Sequence, residues 1–182
     1  MYEFCIVGKK CTRKKASMEY NTDTLIALAE LTIAFVAFVV IVSSLRITSG
    51  EKLTPFEIML VQFFTESGLL LFSVTTFPLV LFEFLSDESF IANIACWYAL
   101  ILLAIYFPFY FLRRSKIDAP RNIPLLISTG GWLCVVVALG MTVTGAFWEP
   151  SLGIIVATVF WGLSSFSLIF LAALSSFVGS NR

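Results

Sequence analysis

Two glutamates within apolar stretches are the residues of this 182-residue chain whose surroundings most favour chemistry. Glu30 and Glu66 each lie in a long apolar run, and neither has a basic residue within a helical turn or two along the sequence. An ionised side chain at the centre of a bilayer costs about 2.5–3.5 kcal/mol on insertion scales. Each carboxyl is therefore expected either to bond to another helix or to take part in moving protons or cations.

Further polar side chains accompany Glu66. Gln62 lies one helical turn before it on the same helix face, and Ser73 and Thr76 follow later in the same run. A stripe of carboxyl, amide and hydroxyl groups could pass protons or coordinate a dehydrated cation. The candidate pathway is therefore Glu66, Gln62 and Glu30. The other interpretation is a hydrogen bond between helices that locks a bundle, and the sequence leaves both open.

Enzymatic chemistry has little support in this sequence. The chain contains no histidine, which removes the commonest general base and the usual Ser-His and Cys-His pairs. The four cysteines, Cys5, Cys11, Cys96 and Cys134, form no CxxC motif, and no nucleotide-binding or GxSxG motif is present. We therefore expect no enzyme activity, no catalytic residue, no metal and no cofactor.

Composition indicates where the chain resides. Hydrophobic residues make up 59% of it and charged residues only 13%, whereas a soluble domain carries about 25% charged residues. The mean hydropathy is +0.94. The net charge is zero, so nothing indicates nucleic-acid binding. These values predict an integral membrane protein whose first partner is the lipid bilayer of the cell membrane.

Five apolar runs are each long enough to cross a bilayer at about 20 residues per helix. The sequence thus predicts an all-α bundle of about five transmembrane helices with short loops, spanning residues 25–45, 55–85, 90–112, 123–147 and 152–177. They form one transmembrane domain over 24–178, between a polar, flexible tail at 1–23 and a short tail at 179–182. Because Pro78 lies inside the long second run, that run is either one kinked helix or a re-entrant hairpin.

The distribution of basic residues predicts the orientation. The loop after the third run carries Arg113, Arg114, Lys116 and Arg121, which places it in the cytoplasm. Five crossings then put the N-terminus outside and the C-terminus in the cytoplasm. Only the basic cluster at residues 9–15 conflicts with this. Either Met18 is the true start, or the N-terminal tail is cytoplasmic and the second run is a hairpin.

Small residues recur along three runs, mostly at steps of three or four with one gap of seven in the first and in the fifth run, as in helices that pack closely in lipid. They are Ala27, Ala34, Ala37 and Ser44 with Glu30 in the first run; Gly131, Cys134, Ala138, Thr142 and Gly145 in the fourth; and Thr158, Gly162, Ser165, Ala172 and Ser176 in the fifth. The preferred function is a non-enzymatic subunit or small assembly, partnered by itself as a homo-oligomer or by another membrane protein. The alternative is a small proton- or cation-coupled transporter or channel using Glu66 and Glu30.

Overall fold

The architecture is an all-helical bundle. A computed structural model describes residues 3–48, 55–115, 123–146 and 149–179 of the chain. Its helices are α1 (Glu3–Thr48), α2 (Pro55–Phe84), α3 (Glu88–Arg114), α4 (Ile123–Val143) and α5 (Leu152–Gly179). Each contains a segment long and apolar enough to cross a membrane: Thr22–Leu45, Ile58–Phe84, Glu88–Arg114, Leu126–Val143 and Leu152–Leu171. The prediction of an all-α chain with five such helices is confirmed.

The second apolar run forms a single helix. Pro78 lies inside α2 and is buried, and the helix continues through it to Phe84. Proline removes one backbone hydrogen bond from a helix interior, yet apolar helices packed against neighbours tolerate it. Of the two alternatives left open by the sequence, the structure has the continuous helix and not the hairpin.

Helix α1 begins earlier than the sequence predicts. The structure continues it back to Glu3, through the residues expected to form a flexible polar tail. That stretch contains no proline, and Gly8 is its only glycine. Lys, Arg, Glu, Ala and Met, which are good helix formers, fill much of it. Local propensity therefore allows the backbone helix to extend beyond the apolar segment.

Local signals account for the start of α3 and the end of α4. Asp87 caps α3 by accepting a hydrogen bond from the Ser89 backbone N–H at 3.1 Å. Helix α4 ends at Val143 and is followed by a turn at Gly145, whose φ of +69° lies in the left-handed region that glycine occupies without strain. The Ala146 N–H donates to Met141 O and the Gly145 N–H donates to Thr142 O, both at 3.0 Å. These two bonds form a Schellman motif, which satisfies carbonyls that the helix leaves free.

Helix α5 lies at the centre of the bundle, because it contacts each of the other four helices. Consecutive helices also pack against each other, and the α1–α2 contact is the most extensive. A cluster of aromatic rings joins α1, α2 and α5. Phe166, which is fully buried, lies 5.8 Å from Phe35 and 6.0 Å from Phe64 between ring centroids. The core is therefore formed by large apolar side chains.

Two glycines allow helices to approach closely. A methyl group at Gly162 of α5 would overlap Leu71 of α2, and one at Gly131 of α4 would overlap the indole ring of Trp161 in α5. Small residues at such contacts let helix backbones come together in lipid, where no hydrophobic force drives association. Gly131 of α4 and Gly162 of α5 thus contribute to packing inside the bundle.

Candidate functional site

An ion pair between α2 and α3 is the main polar contact of the described chain. Arg113 Nη1 lies 2.8 Å from Glu66 Oε1 and 3.0 Å from Oε2. Glu66 lies on the first half of α2 and Arg113 in the last turn of α3. One turn away, Phe63 and Tyr110 of the same helices have ring centroids 4.8 Å apart. This antiparallel packing supplies the basic partner that Glu66 lacks along the sequence.

The surroundings of this pair determine its energy. The side chains of Arg113 and Glu66 are 45% and 43% exposed. In water, a pair this exposed contributes about 0.2–1 kcal/mol. In hydrocarbon, where a lone charge costs about 2.5–3.5 kcal/mol, each partner offsets much of the other's cost. The arrangement forms a neutral unit that ties the end of α3 to α2.

The other polar groups of the candidate pathway do not extend from this pair as a chain. Gln62 is exposed. The Ser73 hydroxyl is 2.5 Å from the Tyr98 hydroxyl, and the Thr76 hydroxyl donates to the Phe72 carbonyl at 2.9 Å. The serine bond joins α2 to α3 and the threonine bond stays within α2. The Ser73 and Thr76 hydroxyls therefore bond to these partners and not to Glu66 or Gln62.

Glu30 is separate from Glu66. Val36 of α1 packs on Gly68 of α2, and the two consecutive helices are antiparallel, which puts the two carboxyls about 12 Å apart along the bundle at a 1.5 Å rise per residue. Glu30 is exposed, and it forms no hydrogen bond or ion pair with the residues that the structure describes. The structure does not bring the two glutamates into one site.

The small-residue stripe of α1 faces away from the bundle. Its members Ala27, Glu30, Ala34, Ala37 and Ser44 are all exposed, as is Ile41, which fills the gap of seven in the stripe. The residues that α1 buries lie on the opposite side of the helix: Leu25, Ala29, Thr32 and Val39. By contrast, Thr158, Gly162 and Ser165 of α5 are buried. We call the six exposed positions, 27, 30, 34, 37, 41 and 44, the α1 seam.

A cavity opens between α2, α3, α4 and α5, with about 450 Å³ of empty space including its mouth. Aromatic rings form much of its wall, contributed by Phe63, Tyr106, Phe107, Tyr110, Trp132 and Phe166. The hydroxyl-bearing residues Ser67, Ser128 and Thr129 also line it. No charged side chain does so among the described residues. Sequence reasoning missed this cavity, because its walls come from four separate helices.

Sequence reasoning also missed Arg113 as a partner. It interpreted Arg113 only as a cytoplasmic loop residue, and a basic residue at a helix end gives no signal of a contact 47 positions away. Among the described residues, no group of three or more Cys, Asp or Glu side chains could hold a metal ion. No family model, curated protein or solved structure matches this chain.

Proposed function

We propose that this protein is a multi-pass integral protein of the cell membrane that acts as a non-enzymatic subunit of a small homo-oligomeric assembly. Five helices of spanning length and apolar character support the membrane assignment. One observation carries the proposed assembly: the α1 seam, which has the pattern of a helix–helix contact, faces outward from the bundle. The occupant that we propose for this seam is a second copy of the chain.

The spacing of the seam fits a paired helix. Its six positions are separated by alternating steps of three and four residues. This is the spacing of the contact positions between two helices that pack side by side along their length. Ala27, Ala34 and Ala37 are small enough to let two backbones approach, whereas large side chains such as Leu126 and Leu133 of α4 face outward elsewhere. The α1 seam is therefore suited to protein contact and not only to lipid contact.

Glu30 is the reason to choose a second copy as the partner. A carboxyl facing hydrocarbon needs a hydrogen-bonding group at its own depth. A two-fold axis normal to the membrane places identical residues at identical depth, so the Glu30 side chains of two copies meet. The contact that buries the seam thus also supplies the missing partner.

The proposed orientation has the N-terminus outside and the C-terminus in the cytoplasm. Arg113 and Arg114 in the last turn of α3 support it, since basic residues concentrate on the cytoplasmic side. The geometry supports the transport alternative less well. Glu66 is paired with Arg113, and Glu30 lies on an outward face at another depth.

Disulfide crosslinking between copies tests the assembly. In a chain whose four cysteines are replaced by serine, Ala34→Cys places one thiol in the middle of the seam. The control is Leu133→Cys on α4. Leu133 faces outward, with 66% of its side chain exposed, but it lies outside the α1 seam. Both variants are oxidised in native membranes at low expression, and a cysteine-free chain serves as the blank.

The expected result is a covalent dimer with Ala34→Cys and monomer with Leu133→Cys. Adding Glu30→Leu to the Ala34→Cys chain should weaken the crosslink, whereas Glu30→Gln, which keeps a donor and an acceptor, should preserve it. Equal crosslinking at both positions would indicate random collision and would overturn the proposal. A crosslink from Ala34→Cys to a different protein would replace self-assembly with a hetero-assembly.

A further inference from the structure

The guanidinium of Arg113 has hydrogen-bond donors that its ion pair does not use. Glu66 accepts both of its hydrogen bonds from a single nitrogen, Nη1. Arginine carries five N–H donors in a planar fork, so Nε and Nη2 keep the remaining donors. Neither of these nitrogens donates to another described residue. Because 45% of the Arg113 side chain is exposed, molecules around the bundle can reach this side of the fork.

A second free donor lies on the neighbouring helix. Gln62 is exposed, and its amide forms no hydrogen bond with the described residues. It lies one helical turn before Glu66 on the same face of α2, on the side of the ion pair that is nearer to the end of α3. The contact between Phe63 and Tyr110 packs the two helices together at this level. Gln62 and Arg113 therefore present N–H groups from two helices on one stretch of the bundle surface.

Polar and apolar groups on this surface follow the order of the parts of a phospholipid. The span of α3 ends at Arg114, so Gln62 lies nearest to the edge of the membrane and the Glu66–Arg113 pair comes next. Leu69, one turn after Glu66, and Phe109, one turn before Arg113, lie deeper, and both are exposed. Headgroup, phosphate and acyl chain follow in the same order in a leaflet. The surface between α2 and α3 thus matches a lipid molecule in polarity.

The charge at this end of α3 favours an anion. The ion pair is neutral, but Arg114 adds a positive charge one residue further on. In the loop that follows, Lys116 and Arg121 outnumber Asp118. Basic clusters beside a membrane helix attract anionic lipids, and a planar guanidinium matches the geometry of a phosphate better than an ammonium does. A lipid with a net negative charge therefore complements this surface.

From these observations we infer that the surface between α2 and α3 binds one anionic phospholipid, whose phosphate accepts hydrogen bonds from Arg113 and from the Gln62 amide. Glu66 positions the guanidinium for this contact, and the acyl chains lie on Leu69 and Phe109. Free phosphate lacks the part that these apolar side chains would contact. The site rests on the membrane location proposed above, but neither on the orientation nor on the homo-oligomer.

Native mass spectrometry of the full-length protein in detergent micelles counts the lipids that stay bound to it. Phosphatidylglycerol is the probe, because it carries one net negative charge, and phosphatidylcholine with the same acyl chains is the neutral comparison. We expect saturable binding of one phosphatidylglycerol per chain, about fivefold or more tighter than that of phosphatidylcholine. Inorganic phosphate at the same concentration should not displace it. Displacement by inorganic phosphate, or equal binding of the two lipids, would overturn the inference.

Two conservative substitutions separate this site from a general attraction between charges. Arg113→Lys keeps the positive charge beside Glu66 but removes the planar fork, and it should weaken phosphatidylglycerol binding about three- to tenfold. Arg114→Lys is the matched control, since it makes the same change one residue away, where the guanidinium donates to the Tyr110 hydroxyl. Binding to that variant should not change. Equal losses in the two variants would indicate a diffuse basic surface and would contradict a site at Arg113.

A variant that leaves the ion pair intact provides an independent measurement. The native chain should melt at a higher temperature in phosphatidylglycerol nanodiscs than in phosphatidylcholine nanodiscs, because a bound ligand stabilises the folded state. Gln62→Leu changes no charge and should reduce that difference. If the difference stays intact, the amide does not bind the lipid and the inference fails. A chain that does not incorporate into nanodiscs would instead refute the membrane location, whereas incorporation without a lipid preference would refute only this site.

Discussion

Arg113 binds both carboxylate oxygens of Glu66 through one nitrogen, Nη1, across 47 positions of sequence. Glu66 therefore differs from an isolated acid in an apolar run, since a cation from the next helix lies against it. The contact joins α2 to the end of α3 that carries Arg113 and Arg114. Each charge is stabilised near apolar surroundings by the opposite charge of its partner.

A double-mutant cycle measures this contact. Glu66→Gln leaves the Arg113 charge unpaired and Arg113→Gln leaves the Glu66 charge unpaired, so each single change should lower stability. The double variant should be more stable than the sum of the single effects predicts. Thermal denaturation in detergent micelles and in nanodiscs would give the coupling. We expect about 0.2–1 kcal/mol where water screens the pair, and more in the bilayer. Zero coupling in both media would show that the pair contributes nothing.

A flux assay addresses the transport alternative. Reconstituted vesicles containing the protein and a pH-sensitive dye should show no proton flux above that of empty vesicles, because Glu66 and Glu30 lie on different faces and at different depths. A potassium or sodium gradient should likewise cause no cation flux. Flux that Glu66→Gln abolishes, with insertion unchanged, would favour transport over the assembly that we propose.

Adjacent glycines of α4 provide a matched pair for testing the packing. A methyl group at Gly131 would overlap the Trp161 ring, whereas one at Gly130 has nothing within 4 Å. Gly131→Ala should therefore destabilise the bundle by about 1–3 kcal/mol through overpacking. Gly130→Ala should be neutral or stabilise it by up to about 1 kcal/mol, because alanine favours the helix. Equal melting temperatures for the two variants would contradict the α4–α5 contact.

Labelling in intact cells tests the orientation. Ser115 follows the last turn of α3 and is exposed, so Ser115→Cys offers a thiol beside Arg113 and Arg114. With the native cysteines replaced, an impermeant maleimide should fail to label it until the membrane is permeabilised. Labelling of Ser115→Cys in sealed cells would reverse the proposed orientation. A cysteine at Glu149, which the proposed topology puts outside, is the positive control.

The sequence by itself determined the helical elements and their number. Apolar runs of spanning length allow only helices that satisfy their own backbone hydrogen bonds, and α2 to α5 begin within two residues of the predicted positions. This information is local, so periodicity and composition contain it. The start of α1 at Glu3 was not predicted. The stretch that precedes the apolar run lacks hydrophobic periodicity, which is the main sequence signal of a helix, although its residue types favour one.

The tertiary structure alone decided which helix faces meet. Similar stripes of small residues in α1 and α5 are indistinguishable by sequence, yet Gly162 and Ser165 are buried while Ala34 and Ala37 face outward. The pairing of Glu66 with Arg113 and the cavity beside Tyr106 likewise require several helices to come together. The physical reason is that each helix rotates about its axis to the position where all side chains pack at once. That rotation is a property of the whole bundle, and no single run contains it.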